Sequence, residues 1–140
     1  ATFVGACGYI FANGLITGHA ERETARTLRT EMQIVPSLVV ASPVPVAFWR
    51  RTMLWRDEHQ HGEGSYGLGQ GVTVELASRP NGMGDPNIAK LRSADPDVRA
   101  FLFWSRMPVA RVENHMVVLT DQRFGNSPVA SNFTIKTPLP

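Results

Sequence analysis

The sequence predicts an α+β domain: a curved, mostly antiparallel sheet of five or six strands, covered on one face by helices and preceded by an N-terminal helix. Three features predict this class. Runs in which β-branched and aromatic residues alternate with other residues indicate strands. Asp85-Pro86 and Asp95-Pro96 each place an N-cap residue before proline, which is typical of helix starts. Residues 19–33 intersperse Glu and Arg around a sparse apolar stripe, as in a solvated helix.

Residues 1–18 carry no charged side chain and are the most membrane-like part of the sequence. This segment is somewhat short for a span of about twenty residues, and it lacks the basic start of a signal peptide. We expect residues 1–35 to be the end of a transmembrane helix followed by a juxtamembrane helix, with the chain beginning inside a longer protein. A helix of the protein core is the other interpretation.

Residues 36–140 are expected to form a single globular α+β domain, because a chain of 140 residues can bury one core. Pro36 ends the first helix, and a short strand is predicted from Leu38 to Ala41. A strand from Val46 to Arg56, a polar loop over residues 57–64 and a return strand from Ser65 to Leu76 are predicted to form a hairpin.

Two registers of this hairpin are open. If it is symmetric about Gln60, large side chains lie across the glycines of the return strand, which then serve packing; these side chains are Trp49, Arg51, Met53 and Trp55. A shift of one residue leaves the glycine strip open to a helix or a ligand.

Two helices and three strands complete the prediction. The helices extend from Pro86 to about Ser93 and from Pro96 to Arg106. Strands at residues 109–112 and 116–120 are joined by a tight turn through Glu113, Asn114 and His115, and a final strand covers residues 129–136 after a loop at residues 125–128.

Composition excludes several classes of function. The single Cys7 rules out an intramolecular disulfide framework and a multi-cysteine zinc site. The net charge is only +2 and the chain has no run of Lys or Arg, so nucleic acid is not an expected partner.

His59 and His61 are the candidate metal ligands. Flanked by Asp57, Glu58 and Glu63, they offer the ligand types of a zinc site or another transition-metal site. They also lie in a glycine-containing hairpin loop, where polar residues are expected without any metal. The sequence is therefore compatible with both a metal site and a solvated turn.

An aromatic and arginine-rich set supplies the candidate ligand-binding residues. Such side chains line pockets for anionic or planar ligands through stacking and bidentate contacts, but they also form cores with arginines at the rim. Asp121 is expected to pair with Arg50, Arg51 or Arg106. The candidate residues are Trp49, Arg50, Arg51, Trp55, Arg106, Asp121 and Arg123.

Four short stretches together resemble a known family. They are Pro43-Val-Pro45 leading into Phe48-Trp49-Arg50, Tyr66-Gly-Leu68, Phe101-Leu-Phe-Trp-Ser-Arg-Met-Pro108 and Val117-Val-Leu-Thr-Asp-Gln-Arg-Phe124. In these stretches the chain resembles the soluble C-terminal domain of bacterial membrane-bound metal-dependent hydrolases, some of which are LexA-regulated. The resemblance covers roughly Gly18 to Phe124.

The resemblance implies a bacterial inner-membrane protein whose metal-binding histidines lie in an N-terminal transmembrane part. None of that part's histidine motifs maps onto the histidines of this chain. A zinc-like divalent metal is therefore expected for the full-length protein and none for this chain. The membrane, reached through the N-terminal part, is the expected partner, with this domain on a soluble face.

The leading functional expectation is an accessory domain, for substrate recognition or regulation, of such a hydrolase. Two alternatives stay open. One is a non-catalytic module that binds an anionic small molecule or a lipid headgroup through the Trp and Arg residues. The other is a self-contained metal hydrolase that uses the loop of His59 and His61.

Overall fold

The computed structural model describes residues 2–125 and 130–140 and has an α+β architecture, as predicted. Its helices are α1 (Thr2–Glu31), α2 (Pro86–Ala94) and α3 (Pro96–Trp104). Its strands are β1 (Leu38–Val44), β2 (Ala47–Arg56), β3 (Gln60–Gly67), β4 (Gly71–Val74), β5 (Arg79–Pro80), β6 (Pro108–Glu113), β7 (Met116–Asp121) and β8 (Thr134–Pro138). The predicted N-terminal helix and antiparallel pairing are confirmed, and the strands are divided between two sheets.

The chain forms two compact units, residues 1–78 and residues 79–140. In the first unit α1 is one continuous helix, which joins the uncharged segment to the Glu and Arg segment. Its buried residues, Ala20, Thr24 and Leu28, lie four residues apart on one side of its second half. Within the residues described, none of the helices is both long enough and apolar enough to cross a membrane.

Strands β1 to β4 of the first unit follow one another in an antiparallel sheet. The core of this unit lies between the sheet and α1, where Ala41, Met53 and Tyr66 pack with Ala20. The backbone N–H of Ala41 donates a hydrogen bond to the Glu21 carboxylate of α1 at 3.2 Å, which ties the helix to β1. Burial of the alternate residues of β2 fixes which face of the sheet meets the helix.

The register of the β2–β3 hairpin differs from the symmetric prediction. Trp55 lies opposite Gly62 and Arg51 lies opposite Tyr66, so the centre is not Gln60. Most of the predicted loop at residues 57–64 is strand, and the predicted return strand is interrupted by a turn at residues 68–70. Large side chains do lie across glycine backbone, as that register predicted. The glycine opposite Trp55, however, is Gly62, which was predicted to lie in the polar loop.

Gly62 and Gly69 have different structural uses. A Cβ at Gly62 would lie 2.5 Å from a carbon of the Trp55 indole ring, so the ring needs a bare backbone there. Gly69 instead has a φ of 81°, a left-handed conformation that the turn between β3 and β4 requires.

Val46 occupies a strained position in the turn between β1 and β2. Its φ is 68°, which is costly for a β-branched residue, and its side chain is 99% exposed. We expect Val46→Gly to raise the free energy of unfolding by about 0.5–1 kcal/mol, because relief of strain outweighs the added freedom of the unfolded chain. Urea unfolding measures the change. Val35→Gly, at an exposed position without positive φ, is the control and should destabilise; equal effects of the two changes would contradict the explanation.

In the second unit both predicted helix starts are confirmed. The Asp85 side chain accepts a hydrogen bond from the Asn87 backbone N–H at 2.8 Å. The Asp95 side chain accepts from the backbone N–H groups of Asp97 and Val98, at 2.9 and 3.3 Å. These bonds satisfy donors that a helix start leaves without partners.

Strands β6, β7 and β8 form the antiparallel sheet of the second unit. The predicted tight turn between β6 and β7 is confirmed: Asn114 and His115 both have positive φ, 51° and 61°, as a two-residue hairpin loop requires. Residues 130–133 form a 3-10 helix and β8 begins at Thr134, later than the predicted final strand. Val129 and most of the predicted loop before it lie outside the described residues. The core of this unit contains Ile88, Leu91, Val98, Phe101, Ala110, Val117 and Leu119.

Candidate functional site

Arg51 is the most constrained of the predicted site residues. Its side chain, only 2% exposed, donates to the side-chain oxygens of Asn13 at 2.7 Å and Thr17 at 3.4 Å, both on α1. It also donates to the backbone carbonyls of Arg50, at 2.8 Å, and of Phe48. No carboxylate pairs with it among the described residues. A buried guanidinium held by neutral acceptors thus attaches the first half of α1 to β2.

Trp49 and Trp55 do not share an open pocket with Arg51. Trp55 is fully buried over Gly62, whereas Trp49 is 46% exposed and packs edge-to-face on Phe48, with 5.1 Å between the ring centroids. Arg51 and Trp55 are therefore core residues. Of the predicted set on β2, Arg50 and Trp49 are exposed.

Arg50 lies on the sheet face opposite the buried Arg51, beside a row of hydroxyl residues. Thr52, Ser65 and Thr73 occupy directly opposed positions on β2, β3 and β4. Arg50 itself lies opposite Gly67, and no carboxylate pairs with its guanidinium among the described residues. A shallow cavity of about 160 Å³ is present here. Its lining includes Arg50, Thr52, Ser65, Gly67, Gln70 and Thr73.

His59 and His61 do not share the predicted loop: His59 lies in the turn before β3, whereas His61 lies on β3, opposite Arg56. The Asp57 carboxylate accepts hydrogen bonds from the backbone N–H groups of His59 and Gln60, each at 2.8 Å. Burial raises the pKa of Asp57, but these hydrogen bonds together lower it by more than burial raises it. The pKa of Asp57 is therefore below its usual value. The described residues contain no group of three or more His, Cys, Asp and Glu side chains placed to hold a metal ion.

In the second unit Asp121 pairs with Arg123, not with the predicted Arg50, Arg51 or Arg106. Its carboxylate is 1% exposed and accepts from Arg123 Nε at 2.9 Å and Nη2 at 2.8 Å. It also accepts from the Ser105 hydroxyl at 2.6 Å. The pairing is local because the 3-10 turn that follows β7 folds Arg123 back over the carboxylate. Arg106 is exposed.

Burial and hydrogen bonding act on Asp121 in opposite directions. Burial raises the pKa of its carboxyl group, whereas the hydrogen bonds from Arg123 and Ser105 lower it, and the net pKa lies below the ordinary value. The same ion pair raises the pKa of Arg123. Both groups are therefore charged at neutral pH, and they join the end of β7 to the end of α3.

Three aromatic rings stack beside this ion pair. Phe124 and Phe133 have ring centroids 4.2 Å apart, and Trp104 lies nearly parallel to Phe133, with 10° between the planes. The Arg123 guanidinium carbon is 5.3 Å from the centroid of the Trp104 ring. The rings lie far apart in the sequence, so no local pattern of residues indicated this cluster.

A groove of about 420 Å³ lies next to the cluster, within the second unit. None of its lining residues is among the predicted ligand-binding residues, although Phe101 and Trp104 lie in one of the four stretches that carry the family resemblance. Asp97 and Ala100 lie on the predicted helix α3, whereas Asn132, Phe133, Thr134 and Ile135 come from the 3-10 helix and β8, and no local pattern indicated that they meet α3. The lining residues are Asp97, Ala100, Phe101, Trp104, Asn132, Phe133, Thr134 and Ile135.

Comparisons with known proteins add no relative. No family model, no curated protein and no solved structure matches this chain.

Proposed function

We propose that this chain is an accessory domain of a membrane-bound metal-dependent hydrolase, with a role in substrate recognition or regulation, and that the first half of α1 attaches it to the membrane. The observation that carries the proposal is the exposure of large apolar side chains there. Phe3, Val4, Ile10 and Phe11 are between 69% and 80% exposed, and Leu15 is 57% exposed. Surface of this kind marks a site of interaction with an apolar partner.

The spacing of these side chains supports a lipid partner. The exposed apolar residues lie seven or four positions apart: seven from residue 3 to residue 10 and from residue 4 to residue 11, and four from residue 11 to residue 15. Residues at these intervals lie along one side of α1. No charged residue interrupts residues 2–18, and the first charged groups of the helix appear only after Gly18. An apolar side that ends where charges begin suits a helix entering the acyl region from a polar interface.

The hydrolase activity in this proposal rests on the family resemblance of the four stretches, and it belongs to the membrane part that the resemblance implies. Asp57, one of the three carboxylates that flank His59 and His61 in the sequence, already accepts two backbone hydrogen bonds. This engagement favours the solvated-turn interpretation of the loop over a self-contained metal hydrolase.

A flotation experiment tests the membrane attachment. We expect the 140-residue chain to float with vesicles of phosphatidylethanolamine and phosphatidylglycerol, and Ile10→Ser/Phe11→Ser to lose most of this binding. The matched control is Leu76→Ser/Phe103→Ser, which changes two apolar residues outside α1 that are more exposed than Ile10 and Phe11. A wild-type chain that stays unbound, or a control that loses as much binding as the α1 variant, would contradict the proposal.

A second candidate function is a binding module for an anionic small molecule or a lipid headgroup. The guanidinium of Arg50, which has no carboxylate partner among the described residues, lies beside the hydroxyl row of Thr52, Ser65 and Thr73 and favours it, because such groups donate hydrogen bonds to oxyanions. The same flotation experiment separates the two: headgroup binding would need the anionic lipid and would weaken in Arg50→Gln, whereas insertion of α1 would depend on Ile10 and Phe11.

A further inference from the structure

We infer that the groove beside Trp104 binds a planar aromatic ligand that carries an ammonium or similar cationic group. This inference goes beyond the proposed function, because it concerns the second unit and does not depend on membrane attachment. The groove has the volume of a small-molecule site, about 420 Å³, and such sites are lined mainly by apolar side chains with a few polar groups that orient the ligand.

The walls of the groove suit a flat ring. Trp104 and Phe133 stack on each other, with 5.5 Å between the ring centroids and 10° between the ring planes, so the pair offers one nearly parallel aromatic surface. An aromatic ligand gains from offset stacking on such rings in addition to the burial of its own apolar area. Phe101, which is 9% exposed, and Ile135 belong to the core of the unit and give the groove a fixed apolar floor.

The polar groups of the groove favour a cation over an anion. Asp97 is the only charged residue among the described lining residues, and its side chain makes no hydrogen bond or ion pair within the described part of the chain. The Asn132 side chain is likewise without a partner among the described residues. Thr134 already donates its hydroxyl proton to the carbonyl of Ala130 at 2.9 Å, so it offers the groove an acceptor.

The nearby guanidinium does not reverse this preference. Arg123 is absent from the described lining, and its charge is balanced by the two hydrogen bonds that it donates to the Asp121 carboxylate. The groove therefore combines two stacked, nearly parallel aromatic rings with one carboxylate that has no ion-pair partner among the described residues. This combination complements a ring with a positive group and disfavours a carboxylate or phosphate ligand.

Tryptamine, an aromatic ammonium, is a suitable probe for the intact chain. We expect it to bind saturably in titrations followed by NMR, with the largest shifts at the indole N–H of Trp104 and the amides of Phe133 and Thr134. Indole-3-acetate, with the same ring and the opposite charge, and n-butylamine, with the charge and no ring, should each bind at least about tenfold more weakly.

Variants locate the site. Trp104→Leu should weaken tryptamine binding about tenfold by removing the stacking surface, and Asp97→Asn about fivefold by removing the charge. Ala100→Phe fills the groove from an exposed position on α3 and should abolish binding even if Trp104→Leu disturbs the fold. The control is Phe103→Leu, which changes a 93% exposed neighbour of Trp104 that does not line the groove.

Three results would overturn the inference. The first is no saturable binding of tryptamine. The second is equal binding of indole-3-acetate or n-butylamine, or equal binding by Ala100→Phe. The third is self-association of the wild-type chain in sedimentation that Ala100→Phe removes, since a second copy would then be the occupant of the groove.

Discussion

Asp121→Asn is expected to lower the free energy of unfolding of the second unit by about 3 kcal/mol at neutral pH. The change leaves the volume of the side chain nearly unaltered but removes its charge. The two hydrogen bonds that Arg123 donates, at 2.9 and 2.8 Å, would lose their ionic component, and the Ser105 hydroxyl would lose a strong acceptor. Removing one partner of a buried pair is costly because the other group remains desolvated without compensation.

The effect of this substitution should depend on pH. The pKa of Asp121 is lower in the folded protein than in the unfolded chain, so the ionised carboxylate stabilises the folded unit at pH values above the unfolded pKa of about 3.9. This contribution disappears as the pH falls through the folded pKa. The wild-type advantage over Asp121→Asn should thus be constant from pH 7 to about 5 and decline below about pH 4.

Urea unfolding followed through the NMR signals of β7 amides measures this advantage separately for the second unit. Glu113→Gln is the matched control, because it removes a carboxylate from an ion pair in the same sheet whose partners, Arg111 and Glu113, are 54% and 52% exposed. That substitution should change the stability by less than about 0.5 kcal/mol. Equal effects of the two substitutions, or a wild-type advantage that increases in acid, would show that the Asp121 pair does not act as described.

Arg51→Ala is expected to have the second large effect, a loss of about 2–4 kcal/mol from the stability of the first unit. Arg51 is 2% exposed, so its removal opens a cavity and leaves the Asn13 and Thr17 oxygens and two carbonyls without their donor. Because two of these acceptors lie on α1, the first half of the helix should also detach from β2.

Amide hydrogen exchange provides the specific measurement. Exchange at residues 9–17 of α1 should become faster in Arg51→Ala by more than the loss of global stability explains. Arg50→Ala is the control, since this neighbouring arginine is exposed and its side chain lies on the other face of β2. Unchanged exchange at residues 9–17 would contradict the attachment of α1 by Arg51.

Local signals in the sequence predicted local structure well. Asp85 and Asp95 are followed by proline and cap α2 and α3, and Asn114 with His115 forms the tight turn between β6 and β7. Each of these features depends on side-chain chemistry within a few residues of the chain. The α+β class was predicted in the same way, from the local patterns of the individual helices and strands taken together.

Features that depend on distant contacts were predicted less well. The polar and glycine-rich composition of residues 57–64 indicates a loop, yet Gly62 lies in β3 opposite Trp55, where its lack of a side chain leaves room for the indole ring. The pairing of Asp121 was also predicted wrongly, although its partner is local: an arginine elsewhere in the chain was expected, whereas the turn after β7 brings Arg123 over the carboxylate. The groove beside Trp104 needed Phe133, which only the packing of β8 brings near. Periodicity carries no information about such partners.

The contact between Trp55 and Gly62 has a consequence for sequence variation. Any side chain at position 62 would meet the indole ring, because a Cβ there would lie 2.5 Å from the ring carbon. A smaller residue at position 55 would leave a void in the first unit that position 62, with no side chain of its own, does not fill. A large residue at position 55 therefore requires glycine at position 62, and the two positions should change only together. A substitution at one position alone should be rare among functional variants.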